Sequence, residues 1–474
     1  MKAIKQVTCD EWRFWHRTKL AATILVIGTL LTIVSVVVNT IEMEHTAHER
    51  AHLQRTSETQ FLEQPDRHPH RMVHYGHYIF RTPSPLSIIE PGVDSFTGTS
   101  IFLEGHRQNS AMFSDQRQAS GMTRFSSLTP SFILQVVVPL FIILIGFSSV
   151  TREKEAGTLH IIITQGTNLW NLLLGKYLAL VSIGFLMLLP LVIASIWATF
   201  TGESLLVTSS FITGYILYIL IWSGIVLSVS ALSNKNSASF TALIGLWIIF
   251  CILIPRIGSS SAAAIAPSLG KLEADFAVLE ELRKLGDGHD AADPAFEQLK
   301  KNLLTKYNVD KVEDLPINFR GAVALYSEEK LTKILNKFAE ERMQEELHQA
   351  QIARQFGWLT PTTAIRSFSM IIAGTSLETH HRFLREAENL RFDFVQSLNK
   401  VHQDTLNYQA DINRHKDNKA ARVNAENWQV LSSFSFMPDT AITRLSRGII
   451  YGFQLILWAI LACFFLRFAA RRIR

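Results

Sequence analysis

Apolar positions in this chain gather into long runs instead of alternating with polar ones. Six runs stand out, at 20–38, 131–150, 172–199, 211–232, 240–255 and 448–468. Five hold about 18 residues or more, enough for a helix rising ~1.5 Å per residue to cross ~30 Å of hydrocarbon. The fifth reaches that length if it starts near Ser237. A single run of this kind could be a buried core helix, but six predict six membrane helices. The first run exceeds the apolar core of a secretory leader, and "VVVNTIEMEH" offers no small-x-small cleavage site. It reads as a permanent anchor.

Between the runs lie two long polar segments, 39–130 and 256–447. Residues 41–63 keep helical character and extend the first membrane helix outward. "MVHYGHYIF", "PSPLSIIEPG" and "GTSIFLEGH" place aromatic and β-branched residues between Pro and Gly, which predicts short strands and turns. Three helices are predicted near 269–285, 326–356 and 376–416. In the last, Phe383, Ala387, Leu390, Phe394, Leu398 and Val401 form one apolar stripe at helical spacing. Residues 356–377 are apolar but interrupted by Pro361 and Arg366. They suit either a segment against the membrane surface or lateral opening, or ordinary core packing.

Charge orients the chain. With the N-terminus inside, the inner segments 1–19, 151–176, 233–239 and 467–474 carry 13 basic and four acidic residues. The rest carries 33 basic and 37 acidic. This asymmetry follows the positive-inside rule and predicts cytoplasmic termini. It also accounts for the formal charge of +5 without a nucleic-acid partner. The expected fold is an all-α membrane protein of six transmembrane helices, with a large, mainly α-helical extracytoplasmic domain containing a few short strands. Its divisions are 1–38 (amphipathic N-terminus and first span), 39–130 (first outer segment), 131–255 (spans two to five), 256–447 (helical second outer segment) and 448–474 (sixth span and basic tail). The cysteines Cys9, Cys251 and Cys463 all fall in inner or membrane segments, so the outer domain is held by packing without disulfides.

One inner loop is substantial. It reads "TREKEAGTLHIIITQGTNLWNLLLGKYLAL". Gly157 and Gly166 bracket a short amphipathic piece, and Lys176 opens the next span. Such a loop suits either a solvated turn or a mechanical contact with a soluble partner. The stretch resembles the ABC type-2 export permeases, in which a Glu-Lys-Glu-x-Gly-Thr-Leu segment after the second span begins the coupling helix and a Gly-Lys opens the third. Both stand here, at 153–159 and at Gly175 and Lys176. The resemblance implies a coupling helix near 152–168, with Arg152, Glu153, Lys154, Glu155, Gly157, Thr158 and Leu159 at the contact with a separate ATPase. It further implies a plasma-membrane (bacterial inner-membrane) exporter built from two permeases, identical or related, and two ATPase subunits. The outer stretches "PSPLSIIEPG" and "SLETHHRFLREAENLRFDFVQSLN" look like a subfamily with an extracytoplasmic domain of unknown function between spans five and six.

No G-x-x-x-x-G-K-[ST] phosphate loop occurs. ATP and Mg are therefore expected on the partner and no cofactor on this chain. The spans hold almost no charge, which disfavours an ion relay and favours an amphiphilic substrate or transmitted motion. Histidines are the remaining chemistry: 14 of 16 lie in the outer segments. "HERAH" at 48–52 matches the zinc-protease helix signature, but lacks a third ligand at a known spacing. A non-catalytic Zn or Cu site could use His45, His48 and His52, or His74 with His77. A membrane-anchored receptor or scaffold, binding a partner through the outer domain, is the alternative to the permease.

Overall fold

In the computed structural model, which describes residues 2–112, 128–268, 271–286, 288 and 290–472, each of the six apolar runs lies inside one long helix. Helix α1 (Lys2–Thr18) is amphipathic and precedes α2 (Leu20–Leu62). With no proline before Pro65, α2 continues well past the apolar run into the polar segment, as its composition predicts. Then come α3 (Pro69–Tyr75), strand β1 (His77–Phe80) and strand β2 (Ser100–Leu103). The strands pair antiparallel, His77 opposite Leu103 and Phe80 opposite Ser100. "PSPLSIIEPG" supplies a 3-10 turn, Pro85–Ile88, and no strand. The end of the first polar segment, 113–127, lies outside the described residues.

The bundle continues with α4 (Pro130–Glu155), α5 (Thr158–Thr164), α6 (Leu169–Phe200), α7 (Leu205–Leu232) and α8 (Asn236–Ile265). Helices α4, α6 and α7 bury well over half of their apolar stretches and form the centre. Helices α2, α8 and the last helix bury less than a third and form the flanks. The polar part holds α9 (Lys271–Arg283), α10 (Glu297–Tyr307), α11 (Phe319–Gln355), α12 (Pro361–Ala373), α13 (Leu377–Thr405) and α14 (Tyr408–Ile412). Helix α15 (Ala441–Arg472) completes the bundle. Its end returns to the face that carries α1: the Arg467 guanidinium lies 5.7 Å from the Trp170 ring.

Helix α12 takes the core-packing alternative: Ala364, Ile365, Phe368, Ile372 and Ala373 are buried in the same core cluster as the long apolar helices, so the helix enters the bundle. Its first turn is fixed near the midpoints of three long helices. Thr360 Oγ1 donates to the Phe250 carbonyl (2.8 Å), Trp458 Nε1 to the Gly357 carbonyl (3.0 Å), and Thr362 Oγ1 meets the Tyr218 hydroxyl (2.9 Å). Its last turn meets Arg444, near the start of α15, whose Nη1 donates to the Ile372 carbonyl (3.2 Å) and to Glu203 (2.9 Å). Thirteen residues rise only ~20 Å, too short to cross ~30 Å of hydrocarbon, so the helix runs from the middle of the bundle to the start of α15 without being a span of its own. Gly214 makes room for it: a Cβ there would sit 2.6 Å from the Phe368 ring.

Two π-helical turns support this insertion, Ile133–Val137 in α4 and Ile248–Leu253 in α8. A π-turn shifts backbone pairing and frees carbonyls, which must be satisfied inside the protein at membrane depth. Here the Tyr218 hydroxyl donates to the Gln135 carbonyl (2.6 Å), and Trp247 Nε1 donates to that of Val136 (2.9 Å). Thr360 takes the Phe250 carbonyl.

On the far side of the bundle, the predicted stripe of α13 is the core of the polar domain. Phe383, Ala387, Phe394 and Leu398 are buried with Phe61, Met72, Ile79, Leu103 and Trp428, while Leu390 and Val401 pack at the edge. Helices α11 and α13 run antiparallel, joined by Glu340–Arg385, Glu346–His381 and Glu328–Arg391 pairs. Burial alone would raise the Glu328 carboxyl, yet the His106 hydrogen bond and the Arg391 guanidinium hold it at about 2. Helix α13 stops at Thr405, short of the predicted 416, because Leu406 is extended and the Asn407 side chain caps α14.

Candidate coupling site

The loop between α4 and α6 is built on left-handed glycines. Gly157, at φ +69°, reverses the chain after the last turn of α4 and starts α5; Gly166, at φ +87°, ends it. Asn168 then caps α6 by accepting from the Trp170 amide (3.0 Å). Nothing lies within 4 Å of a Cβ added at Gly157, so the backbone conformation alone calls for glycine there.

Of the four charges at 152–155, three fold inward and the exposed fourth, Glu155, is tied to Asn236. Arg152 donates to Glu11 Oε1 (2.5 Å) and covers the Phe14 ring at 3.7 Å. Lys176, only 1% exposed, donates to the same Glu11 oxygen, to Glu153 Oε1 (2.5 Å) and to the Ser149 carbonyl (2.8 Å). Lys154 donates to the carbonyls of Ala231 (2.6 Å) and Ser233 (3.1 Å). Glu155 accepts from the backbone amide (2.9 Å) and the side chain of Asn236. Leu159 is buried in the bundle core, and Thr158 Oγ1 returns to the Glu153 carbonyl (3.3 Å).

The predicted contact residues therefore divide. Arg152, Glu153, Lys154 and Leu159 are framework, Glu155 is exposed but tied to Asn236, and Gly157 and Thr158 lie on the surface beside Ala156, His160, Ile161, Thr164 and Gln165. Helix α1 is fastened along α6 by Thr8 to the Gly175 carbonyl (2.9 Å) and Trp12 Nε1 to Ser182 (3.0 Å). Glu11, Asn236 and the exposed pair His160 and Ile161 were not predicted. Asp10 and Glu11 stand side by side in the sequence, and only the packing of α1 along α6 separates the buried acid from the exposed one.

The histidines sort differently from their sequence pattern. His45, His48 and His52 are exposed along α2, and His45 sits 3.8 Å from Glu49. They form no group with metal-ligand spacing among the described residues. Gly76, at φ +60°, turns the chain after α3, so His77 faces the core between Phe61 and Phe394, away from His74. His74 instead neighbours His70 and His106. A second group is fully buried: Asp411 accepts from His68 (3.0 Å), His402 (2.8 Å) and Asn318 (3.1 Å). His68 Nδ1 accepts the His70 amide, so its Nε2 carries the proton given to Asp411.

Residues 103–272 match the ABC-2 family transporter protein, and residues 271–437 match a domain of unknown function, DUF3526. The chain carries an ABC-2 transporter domain followed by a DUF3526 domain. No curated protein matches it. The ABC-2 match holds α4 to α8 and with them the whole α4–α6 loop; α2 and α15 lie outside both matches. The DUF3526 match includes α12, so that domain contributes one helix to the membrane bundle. The chain is a multi-pass membrane protein with an ABC-2 transporter domain, all-α apart from one small hairpin among the described residues.

Proposed function

We propose that this chain is the membrane subunit of an ATP-driven exporter in the plasma membrane. The exposed surface 156–165 seats in a cleft of a separate ATPase, which binds ATP and Mg. The observation that carries this reading is that all four charges before the exposed turn are tied to helices of the bundle, three of them partly buried and Glu155 at the surface. Through Arg152, Glu153, Lys154 and Glu155 the turn is joined to α1, α6, the end of α7 and the start of α8. Because packed interiors transmit displacement instead of absorbing it, a push on α5 moves several membrane helices together.

The basic face of the bundle is cytoplasmic in this reading, and the DUF3526 helices lie outside. Two copies, or this chain and a relative, assemble with two ATPases. The exposed apolar flanks of α2, α8 and α15 supply the surface for the second permease and for lipid. Nucleotide closure switches the pair between inward and outward states.

The test is gentle extraction of the full chain from its native membrane and mass spectrometry of what accompanies it. Equal amounts of an ABC ATPase support the proposal. A clean preparation without any nucleotide-binding subunit, across several mild detergents, overturns it in favour of a receptor or scaffold.

A further inference from the structure

We infer that the outer helical domain binds one late first-row divalent metal ion, Zn²⁺ or Cu²⁺, through His70, His74 and His106. His70 and His74 stand one turn apart on one face of α3, and their Nε2 atoms are 3.2 Å apart. His106 is brought beside them by the β1–β2 hairpin, and one ring nitrogen from each of the three lies within 4.8 Å of the others. In a tetrahedral site with nitrogens ~2.0–2.1 Å from the metal, ligand nitrogens are ~3.3 Å apart. The helix pair already has that separation, and His106 has to close by up to ~1.5 Å from the 4.8 Å bound, within the reach of a side-chain rotation.

Two neutral imidazoles can also share a proton at 3.2 Å, so the helix pair alone does not decide the matter. His106 does. Its backbone is left-handed, at φ +64°, uncommon outside glycine though enriched for histidine, and the turn aims the ring at α3. One buried carboxylate oxygen of Glu328 holds it there, accepting from the His106 amide (3.3 Å) and meeting His106 Nδ1 (2.9 Å). The other oxygen is fixed by Arg391 Nη1 (2.6 Å), and Arg391 is itself buried. A carboxylate on one ring nitrogen sets the tautomer and turns Nε2 toward a metal, the outer arrangement found behind metal-binding histidines. Three imidazoles suit Zn²⁺ or Cu²⁺ and exclude Mg²⁺ or Ca²⁺, which demand oxygen. His74 is exposed and the other two are half-buried, so the ion has access and can keep a water as its fourth ligand.

The buried His68–His402–Asp411 group competes poorly: both Asp411 oxygens already accept from side chains, and no path from solvent is needed to account for it. The bound ion would clip α3 and the hairpin to α11, stiffening the joint between the hairpin and the α11–α13 pair.

The test uses the full chain in detergent, purified without a polyhistidine tag and stripped with chelator, titrated separately with Zn²⁺ and Cu²⁺ and assayed for bound metal. The expected result is a single ion per chain, bound at least tenfold more weakly by His74→Gln and by His106→Gln, and ~10–100-fold more weakly by Glu328→Gln. The triple variant His45→Gln/His48→Gln/His52→Gln retains the site. His74 is exposed, so His74→Gln does not endanger folding, and unchanged binding by that variant overturns the inference. So does failure of the wild-type chain to retain either ion at micromolar free metal. X-ray absorption at the metal edge should show three imidazole nitrogens; a shell of oxygens alone also overturns it.

Discussion

Replacing Lys176 by Met tests the anchoring of the coupling loop. The ammonium is 1% exposed and bridges two carboxylates, Glu11 (3% exposed) and Glu153 (15%), besides the Ser149 carbonyl. Met fills similar volume but leaves Glu153 without its cation and Glu11 with Arg152 alone. Removing one partner of a buried ion pair typically costs ~3–5 kcal/mol, most of it from the charge left behind. Because Arg152 remains on Glu11, about 3 kcal/mol is expected. Lys333→Met is the control: its pair with Glu329 is 66% and 49% exposed, and its loss should cost under ~0.5 kcal/mol. If the damage comes from stranded charge, adding Glu11→Gln to Lys176→Met recovers part of it, which a double-mutant cycle measures. Thermal unfolding in detergent, followed by tryptophan fluorescence, is suitable because Trp12, Trp15 and Trp170 lie beside the network. A Lys176→Met protein that melts with Lys333→Met would refute the reasoning: the inward charges would then be solvated decoration, and the loop would have no rigid link to the bundle.

Two further outcomes follow from single positions. Gly157→Ala meets open space and should cost only the left-handed backbone term, ~1 kcal/mol, whereas Gly157→Pro cannot reach φ +69° and should uncouple ATP turnover from transport with unchanged membrane insertion; vesicle transport measured alongside ATPase rate checks both. Burial pushes the His77 imidazole down to about 4 from 6.5. Between those values the unfolded chain takes up a proton that the folded one refuses. Stability is therefore fully present above pH 6.5 and declines toward pH 4, by about 3 kcal/mol from this group. His77→Phe, packed between Phe61 and Phe394, should narrow the gap between denaturant melts at pH 7 and pH 4.5; an unchanged gap contradicts the assignment.

The membrane helices were legible because run length is a local property, and each apolar run falls within one helix. The stripe on α13 was legible for the same reason. Residues 356–377 were not: an apolar segment with Pro361 and Thr362 has the same composition whether it faces lipid, a soluble core or a helical bundle. Only the Phe250 carbonyl freed in α8 and the space at Gly214 show where it goes. Helix α10 escaped notice because it is short and packs on a small separate cluster around Phe296 and Phe319. In the loop between α4 and α6 the residue types did not reveal which side chains face the bundle and which face solvent. Whether Arg152 and Lys154 reach outward or inward depends on Glu11 and on the carbonyls of Ala231 and Ser233, remote in sequence. His106 joins His70 and His74 only through the hairpin register, which is why spacing alone singled out His77 instead.

The central claim is that the surface after Gly157 docks an ABC ATPase. Ile161, 56% exposed on α5, is the position to label. A photo-crosslinking amino acid placed there in native membranes, with Ile449 on α15 as the membrane-face control, reports its neighbour directly. The account predicts a crosslink from Ile161 to a nucleotide-binding subunit carrying a phosphate-binding loop, and none to that subunit from Ile449. Efficient crosslinking of Ile161 to lipid or to proteins without nucleotide sites, with no ATPase among the products, would contradict it.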